Sequence, residues 1–297
     1  MSTSPTRDPR EGQPRPPFKG RSQREKETGD ESEMDPAPDY GEKTYRGHGR
    51  LTDRVAIITG GDSGIGRAVA LAFAREGADV VIDYYENDRD AEVTRRVVEG
   101  EGRGAIAVKA DVGDAGDCER LVREAVERFG RVDILVNNAA YQGATITSMD
   151  ELDPERVERT FRTNIVGMFH LVRLCLPHMR PGATVINTAS IQAYQPSFGI
   201  LDYAATKGAI VTFTKGLALG LIEKGIRVNC VAPGPVWTPI VAASFDDESV
   251  KRFGEDNPMG RPAQPVELAP AFVFLASDES RFVNGEVLGV TGGKPLG

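Results

Sequence analysis

From about residue 50 onward, apolar β-branched runs alternate with helical stretches, and this alternation limits the fold more than any other feature. "RVAIITG", "DVVIDYY", "GAIAVKADV", "VDILVNNAA", "ATVINTAS", "IRVNCVAPG" and "GEVLGVTGG" read as strands. The first is continuously apolar, as a strand covered on both faces must be. "GIGRAVALAFAREG", "DAEVTRRVVEGEG" and "DCERLVREAVERFG" carry helical spacing and close on glycine. "DPERVERTFRTNIVGMFHLVRLCLPHM" reads as one long helix, with Asp153 as its N-cap and Pro154 in its first turn. A further helix starts near Tyr203, and "PVELAPAFVFLAS" is the last. Such an order predicts an α/β protein with one doubly wound parallel sheet and helices on both faces.

Residues 1–45 are of another kind. They contain no Val, Leu or Ile and are dense in Pro, Arg, Glu, Asp and Ser. A segment like this buries too little apolar surface to offset its ordering entropy. It is expected to be a disordered or extended arm, separate from a folded domain over 50–297. Tyr40 and Tyr45 are its anchors, for docking on the body or on a neighbouring copy. A tail without a role is the competing reading.

Composition excludes several classes. The net charge of −8 speaks against nucleic-acid and membrane-surface binding, which favour basic patches. No uninterrupted apolar run reaches the length of a membrane span. "MSTSPTRDPREG" lacks the apolar region of a secretory signal, so a cytoplasmic protein is expected. Cys118, Cys175 and Cys230 are odd in number and widely spaced, which fits neither a disulfide framework nor zinc. His48, His170 and His178 form no ligand cluster, so no metal site is expected.

The turn "TGGDSGIG" joins the first strand to its helix. Glycines there let backbone N–H groups and the helix N-terminus approach a pyrophosphate. The spacing Gly60-x-x-x-Gly64-x-Gly66 differs from the commoner dinucleotide fingerprint, and no Gly-Lys-Ser/Thr follows as in a P-loop. Open parallel sheets bind ligands at the carboxyl ends of their strands. There the chain places Asp111, Asn138 with Ala139, Ser190, and Pro233 with Gly234. Just beyond Ser190, Tyr203 and Lys207 stand four apart on one helix face. Alone, that short and common pair reads first as a surface Tyr packed on a Lys stem.

Taken in order, "TGGDSGIG", Asp111, "NNAA", Asn164, Ser190, "YAATK" and "PGPVWT" resemble the short-chain dehydrogenase/reductase (SDR) family over residues 50–297. The arm, the glycine turn and "APGPVWTPI" resemble its glucose/ribitol-dehydrogenase-like subgroup. Ala140 departs from the family's usual glycine, and tighter packing is expected there. The resemblance implies a Rossmann-type domain that transfers a hydride between NAD(P) and a carbonyl or secondary alcohol (sugar, polyol, aldehyde or ketone). Tyr203 would be the general acid/base. A nearby ammonium favours the phenolate, so Lys207 would lower its pKa and also hold the nicotinamide ribose. Ser190 would orient the substrate oxygen, and Asn164 would hold a water on a proton path. Thr59, Gly60, Asp62, Ser63, Gly64, Ile65 and Gly66 would line the pyrophosphate and adenosine ribose. Asp111 and Val112 would meet the adenine, and Asn138 and Ala139 the ribose side. Pro233, Gly234, Val236 and Thr238 would meet the nicotinamide amide and the phosphate. Homotetramers are common in the family, and a non-catalytic dinucleotide sensor is the alternative function.

An acidic residue ending the second strand favours NAD over NADP. The family's position falls on Tyr84, but Asp83, Glu86 and Asp62 make the surroundings acidic, which points to NAD. NADP is the alternative, with Arg67 or Arg89 taking its 2′-phosphate. Gln192, Tyr194, Trp237 and Phe245 are candidate substrate contacts, the last two in a lid over about 235–262.

Overall fold

The computed structural model describes residues 8–297; residues 1–7 of the arm lie outside the described residues. The strands are β1 (Val55–Ile58), β2 (Asp79–Tyr84), β3 (Ala105–Lys109), β4 (Ile134–Asn137), β5 (Thr184–Thr188), β6 (Arg227–Pro233) and β7 (Val287–Val290). They form one sheet in the order β3-β2-β1-β4-β5-β6-β7. All neighbours run parallel. The helices are α1 (Gly64–Arg75), α2 (Asp88–Gly100), α3 (Ala115–Phe129), α4 (Pro154–Phe161), α5 (Gly167–Cys175), α6 (Leu201–Leu221), α7 (Pro239–Ser244), α8 (Asp247–Lys251) and α9 (Pro265–Ala276).

β1, β4, β5 and β6 are buried along their whole length. On one face, α1 and α9 cover a core that includes Ile58, Val69, Phe73 and Phe272. On the other, α3, α5 and α6 cover Ile57, Leu121, Leu135, Leu171 and Val185. The three cysteines are free and buried. Strand order reverses between β1 and β4, which opens a crevice at their carboxyl ends.

The stretch expected as one long helix is broken. Asp153 does cap α4, accepting from Arg156 N at 2.7 Å. A π turn over Arg162–Val166 then separates α4 from α5. Asn164 sits in that turn and holds the Tyr141 backbone, with Oδ1 accepting from its N–H at 2.7 Å and Nδ2 donating to its carbonyl at 2.9 Å. Gly167 follows because nothing larger fits: a Cβ there would lie 2.4 Å from the Val112 carbonyl oxygen. Helix α6, with its flanking turns over Phe198–Lys224, is by length and composition apolar enough to cross a membrane. Here it packs beside β6 and carries the buried side chains of Asp202 and Lys207.

The described part of the arm is extended and docked rather than disordered. Phe18, Met34 and Tyr40 are buried. Phe18 stacks 4.4 Å from Trp237, and with Met34 it joins Val241 and Val250 in one cluster. Where the arm enters the domain, buried Glu76 accepts from the Tyr45 hydroxyl, the His48 N–H and Arg50. Composition misled because the arm makes no core of its own. It contributes a few large side chains to a surface that the domain supplies.

Candidate active site

A cleft of about 900 Å³ opens at the carboxyl ends of the strands, over the reversal point of the sheet. Its floor is the glycine turn. Gly60 has φ +59°, and a Cβ on Gly66 would lie 1.9 Å from the Gly60 carbonyl oxygen, so the turn folds tightly onto the start of α1. Asn138, just beyond β4, fixes it, with Nδ2 donating to the carbonyls of Thr59 and Gly60 at 3.0 and 3.2 Å. Gly60, Asp62, Ser63, Gly64 and Ile65 border the cleft, as do Asp111, Val112, Asn138, Ala139 and Ala140. Pro233, Gly234, Val236 and Thr238 close the far side. A cleft that starts at a glycine turn and a helix N-terminus suits a dinucleotide.

Ser190, Tyr203 and Lys207 meet in this cleft. Ser190 follows β5 and caps a short turn, its Oγ accepting from Gln192 N at 3.2 Å. Lys207 is buried and donates to the Thr188 carbonyl at 2.8 Å. Its ammonium lies 5.1 Å from the centre of the Tyr203 ring. Burial lowers Lys207 to about 8. It raises the Tyr203 phenol to about 12, with a hydrogen bond to Ser190 pulling the other way. Chemically, this places a protonated phenol, a hydroxyl and an ammonium around one point.

Several expected residues lie elsewhere. Asn164 is behind the wall, donating to Thr206 Oγ1 at 3.0 Å as well as holding Tyr141. Thr59 and Gly66 shape the turn without bordering the cleft; Thr59 Oγ1 accepts from the backbones of Asn138 and Ala139. Tyr84 turns away to donate to Asp88 at 2.9 Å, and Tyr85 takes its place at the cleft. Gln192 and Phe245 border the cleft, whereas Tyr194 does not. Trp237 does not border the cleft. It is buried under the arm, and its Nε1 donates to the Pro36 carbonyl at 2.7 Å.

The acidic surroundings also differ from expectation. Asp83 is buried, with Oδ2 accepting from Gly60 N at 3.4 Å and Oδ1 without a partner. Burial holds its carboxyl well above the usual range, which favours the neutral form. Burial also lifts Asp62, to about 6. Arg67 is not free for a phosphate: it is buried, pairs with Glu31 and lies over the Tyr40 ring. Sequence reasoning missed Arg159, Arg252, Lys294 and the arm residues Glu27, Thr28 and Gly29, all of which border the cleft. They carry no local pattern that would single them out.

The enoyl-(acyl carrier protein) reductase family model matches residues 60–294. The glucose and ribitol dehydrogenase of Daucus carota is 49% identical over 94% of this chain and 96% of its own. The chloroplastic NADPH-dependent aldehyde reductase 1 of Arabidopsis thaliana is 48% identical over 89% and 94%. Among solved structures, a short chain dehydrogenase from Burkholderia cenocepacia in complex with NADP superposes with a TM-score of 0.77, at 32% identity, over 82% of this chain and 98% of that one.

Proposed function

The chain belongs to the short-chain dehydrogenase/reductase family, and we propose that it moves a hydride between NADP(H) and a small aldehyde, ketone or secondary alcohol, polyols included. The observation that carries this reading is the meeting of Ser190, Tyr203 and Lys207 beside the glycine turn.

When bound, the nicotinamide supplies or accepts the hydride. Tyr203, held protonated by burial, donates to the carbonyl oxygen as reduction proceeds and takes the proton back in oxidation. Ser190 holds the same oxygen at the phenol. Lys207 would hold the ribose hydroxyls of the bound cofactor, and its charge stabilises the phenolate as it forms. Asn164 fixes Tyr141 and the π turn, and so holds the wall behind Lys207.

NADP is favoured over NAD on two grounds. One relative is named as NADPH-dependent, and one solved neighbour is in complex with NADP. In addition, part of the acidic case for NAD falls away, because Asp83 is buried toward neutrality and Tyr84 bonds Asp88, which leaves Asp62 and Glu86 at the cleft. Exposed Phe161, Val166, Phe169 and Leu219 on α4–α6 support packing between copies of the chain. Titration with NADPH and with NADH, followed by nicotinamide fluorescence, tests the cofactor. NADPH is expected to bind at least about tenfold tighter, about 1.4 kcal/mol. Tighter NADH overturns that choice, and binding of neither overturns the dinucleotide site. Turnover with a panel of aldehydes and polyols then tests the reaction.

A further inference from the structure

We infer that residues 27–31 of the N-terminal arm are part of the dinucleotide site, closing its adenosine end and setting how fast the cofactor leaves. The inference rests on the dinucleotide reading of the cleft. Glu27, Thr28 and Gly29 border that cleft although they precede β1 by more than twenty residues. They do so because the segment is fastened to three different walls. Gly29 lies flush on α7, where a Cβ would come 2.2 Å from the Pro239 carbonyl oxygen. Its own carbonyl accepts from Asn87 Nδ2 at 3.3 Å, beyond the end of β2. Thr28 Oγ1 lies 3.5 Å from Glu86 Oε2 in the same loop. Glu27 reaches α4 and pairs with Arg159, whose guanidinium lies 4.5 Å from the centre of the Tyr141 ring and 5.7 Å from that of Tyr85. The segment thus touches α7, the loop after β2 and α4, beside the end of β2, where a ribose is expected.

The two ends of this crossing differ in strength. Glu31 is buried, pairs with Arg67, accepts from the Tyr40 hydroxyl and takes the Gly64 N–H at 3.0 Å. Gly64 opens α1, so the arm is fixed to the same turn that would cradle the pyrophosphate. Glu27 and Arg159 are 29% and 39% exposed, and an exposed pair is a weak link. A fixed end at Glu31 and a weak end at Glu27 make a gate that opens at Arg159 without unseating the arm.

Stopped-flow displacement of NADPH from the full chain tests this, comparing wild type with E27Q, G29V and the charge swap E27R/R159E. E27Q is expected to speed release about threefold, as loss of an exposed pair allows. G29V cannot seat on Pro239, and its release is expected to be at least tenfold faster. E27R alone is expected to release faster than E27Q, and adding R159E to restore slower release. Release unchanged in both variants overturns the inference and leaves the proposed function standing. Faster release in E27R that R159E does not reverse also overturns it, since the pair is then not the latch. A wild-type protein that binds neither NADPH nor NADH overturns the proposed function and the inference together.

Discussion

The Lys207 ammonium lies 5.1 Å from the centre of the Tyr203 ring, one helical turn away, and is tied to the Thr188 carbonyl at 2.8 Å. Both groups are shifted against their charged forms, the phenol up to about 12 and the ammonium down to about 8. The family resemblance implies that Lys207 draws the phenol down. In the structure burial is the larger effect, and the Ser190 hydroxyl supplies the opposing pull. At neutral pH the pair therefore stands as a proton donor beside a cation.

Tyr203→Phe removes the proton and little else, since the ring remains. Single-turnover hydride transfer should fall about 10²- to 10⁴-fold, the range of general acid–base catalysis. NADPH affinity should stay within about twofold, because the phenol hydroxyl is not needed to fill the site. An unchanged hydride rate would remove Tyr203 from the chemistry and favour a dinucleotide sensor.

Lys207 gives the reaction an alkaline limit. A lysine whose pKa is lowered loses its proton as pH rises through that value, so the cation is present below about 8 and absent above. The kcat/KM for carbonyl reduction should fall through that region, and the profile of Lys207→Met should be lower and show no such step. A wild-type profile flat from pH 7 to about 10, near the unshifted lysine value, would contradict this role.

Much of this was legible in the residues because local pattern and global role coincide. Strand β1, the glycine turn and α1 are read from one stretch, since burial on both faces demands a continuous apolar run. Ser190, Tyr203 and Lys207 follow from position at the end of β5 and from helical spacing. The π turn was not legible, because it arises where Asn164 meets the backbone of Tyr141, a partner 23 residues away. Asp83 counted as a charge in the sequence, whereas its burial under Gly60 favours the neutral form. Tyr40 and Tyr45 were legible as anchors, and Tyr40 is buried on the body, but an arm without Val, Leu or Ile gives no sign that Phe18 and Met34 will find apolar partners more than a hundred residues away.

Arg156 and Asp202 tie α4 to the start of α6, directly before Tyr203. Arg156 Nε and Nη2 each donate to the Asp202 carboxylate at 3.0 Å, and Thr160 Oγ1 donates to it at 2.8 Å. The side chains are 11% and 0% exposed. Burial alone would raise the Asp202 carboxyl, but the bonds from Arg156 and Thr160 outweigh it and the net shift is downward. Such a group stabilises the fold above its unfolded pKa, and that stabilisation is lost as pH falls through the folded value. Arg156→Met leaves a buried carboxylate unpaired and should cost about 3–5 kcal/mol in denaturant unfolding at pH 7. The cost should shrink in acid. A loss below about 1 kcal/mol, the range of an exposed pair, would show that solvent reaches Asp202.

Trp237 is the single tryptophan of the chain and reports on the arm. Its ring packs on Phe18, and its Nε1 donates to the Pro36 carbonyl. Trp237→Phe keeps most of the apolar contact but leaves that carbonyl without its donor. The expected cost is about 1–3 kcal/mol of stability, as for other lost buried hydrogen bonds. KM for the carbonyl substrate should stay within about twofold, because Trp237 does not border the cleft. Deleting residues 1–38 should move the tryptophan emission to longer wavelength by opening the ring to water. A tenfold rise in KM at unchanged stability, about 1.4 kcal/mol of lost binding, would instead restore Trp237 to the substrate pocket.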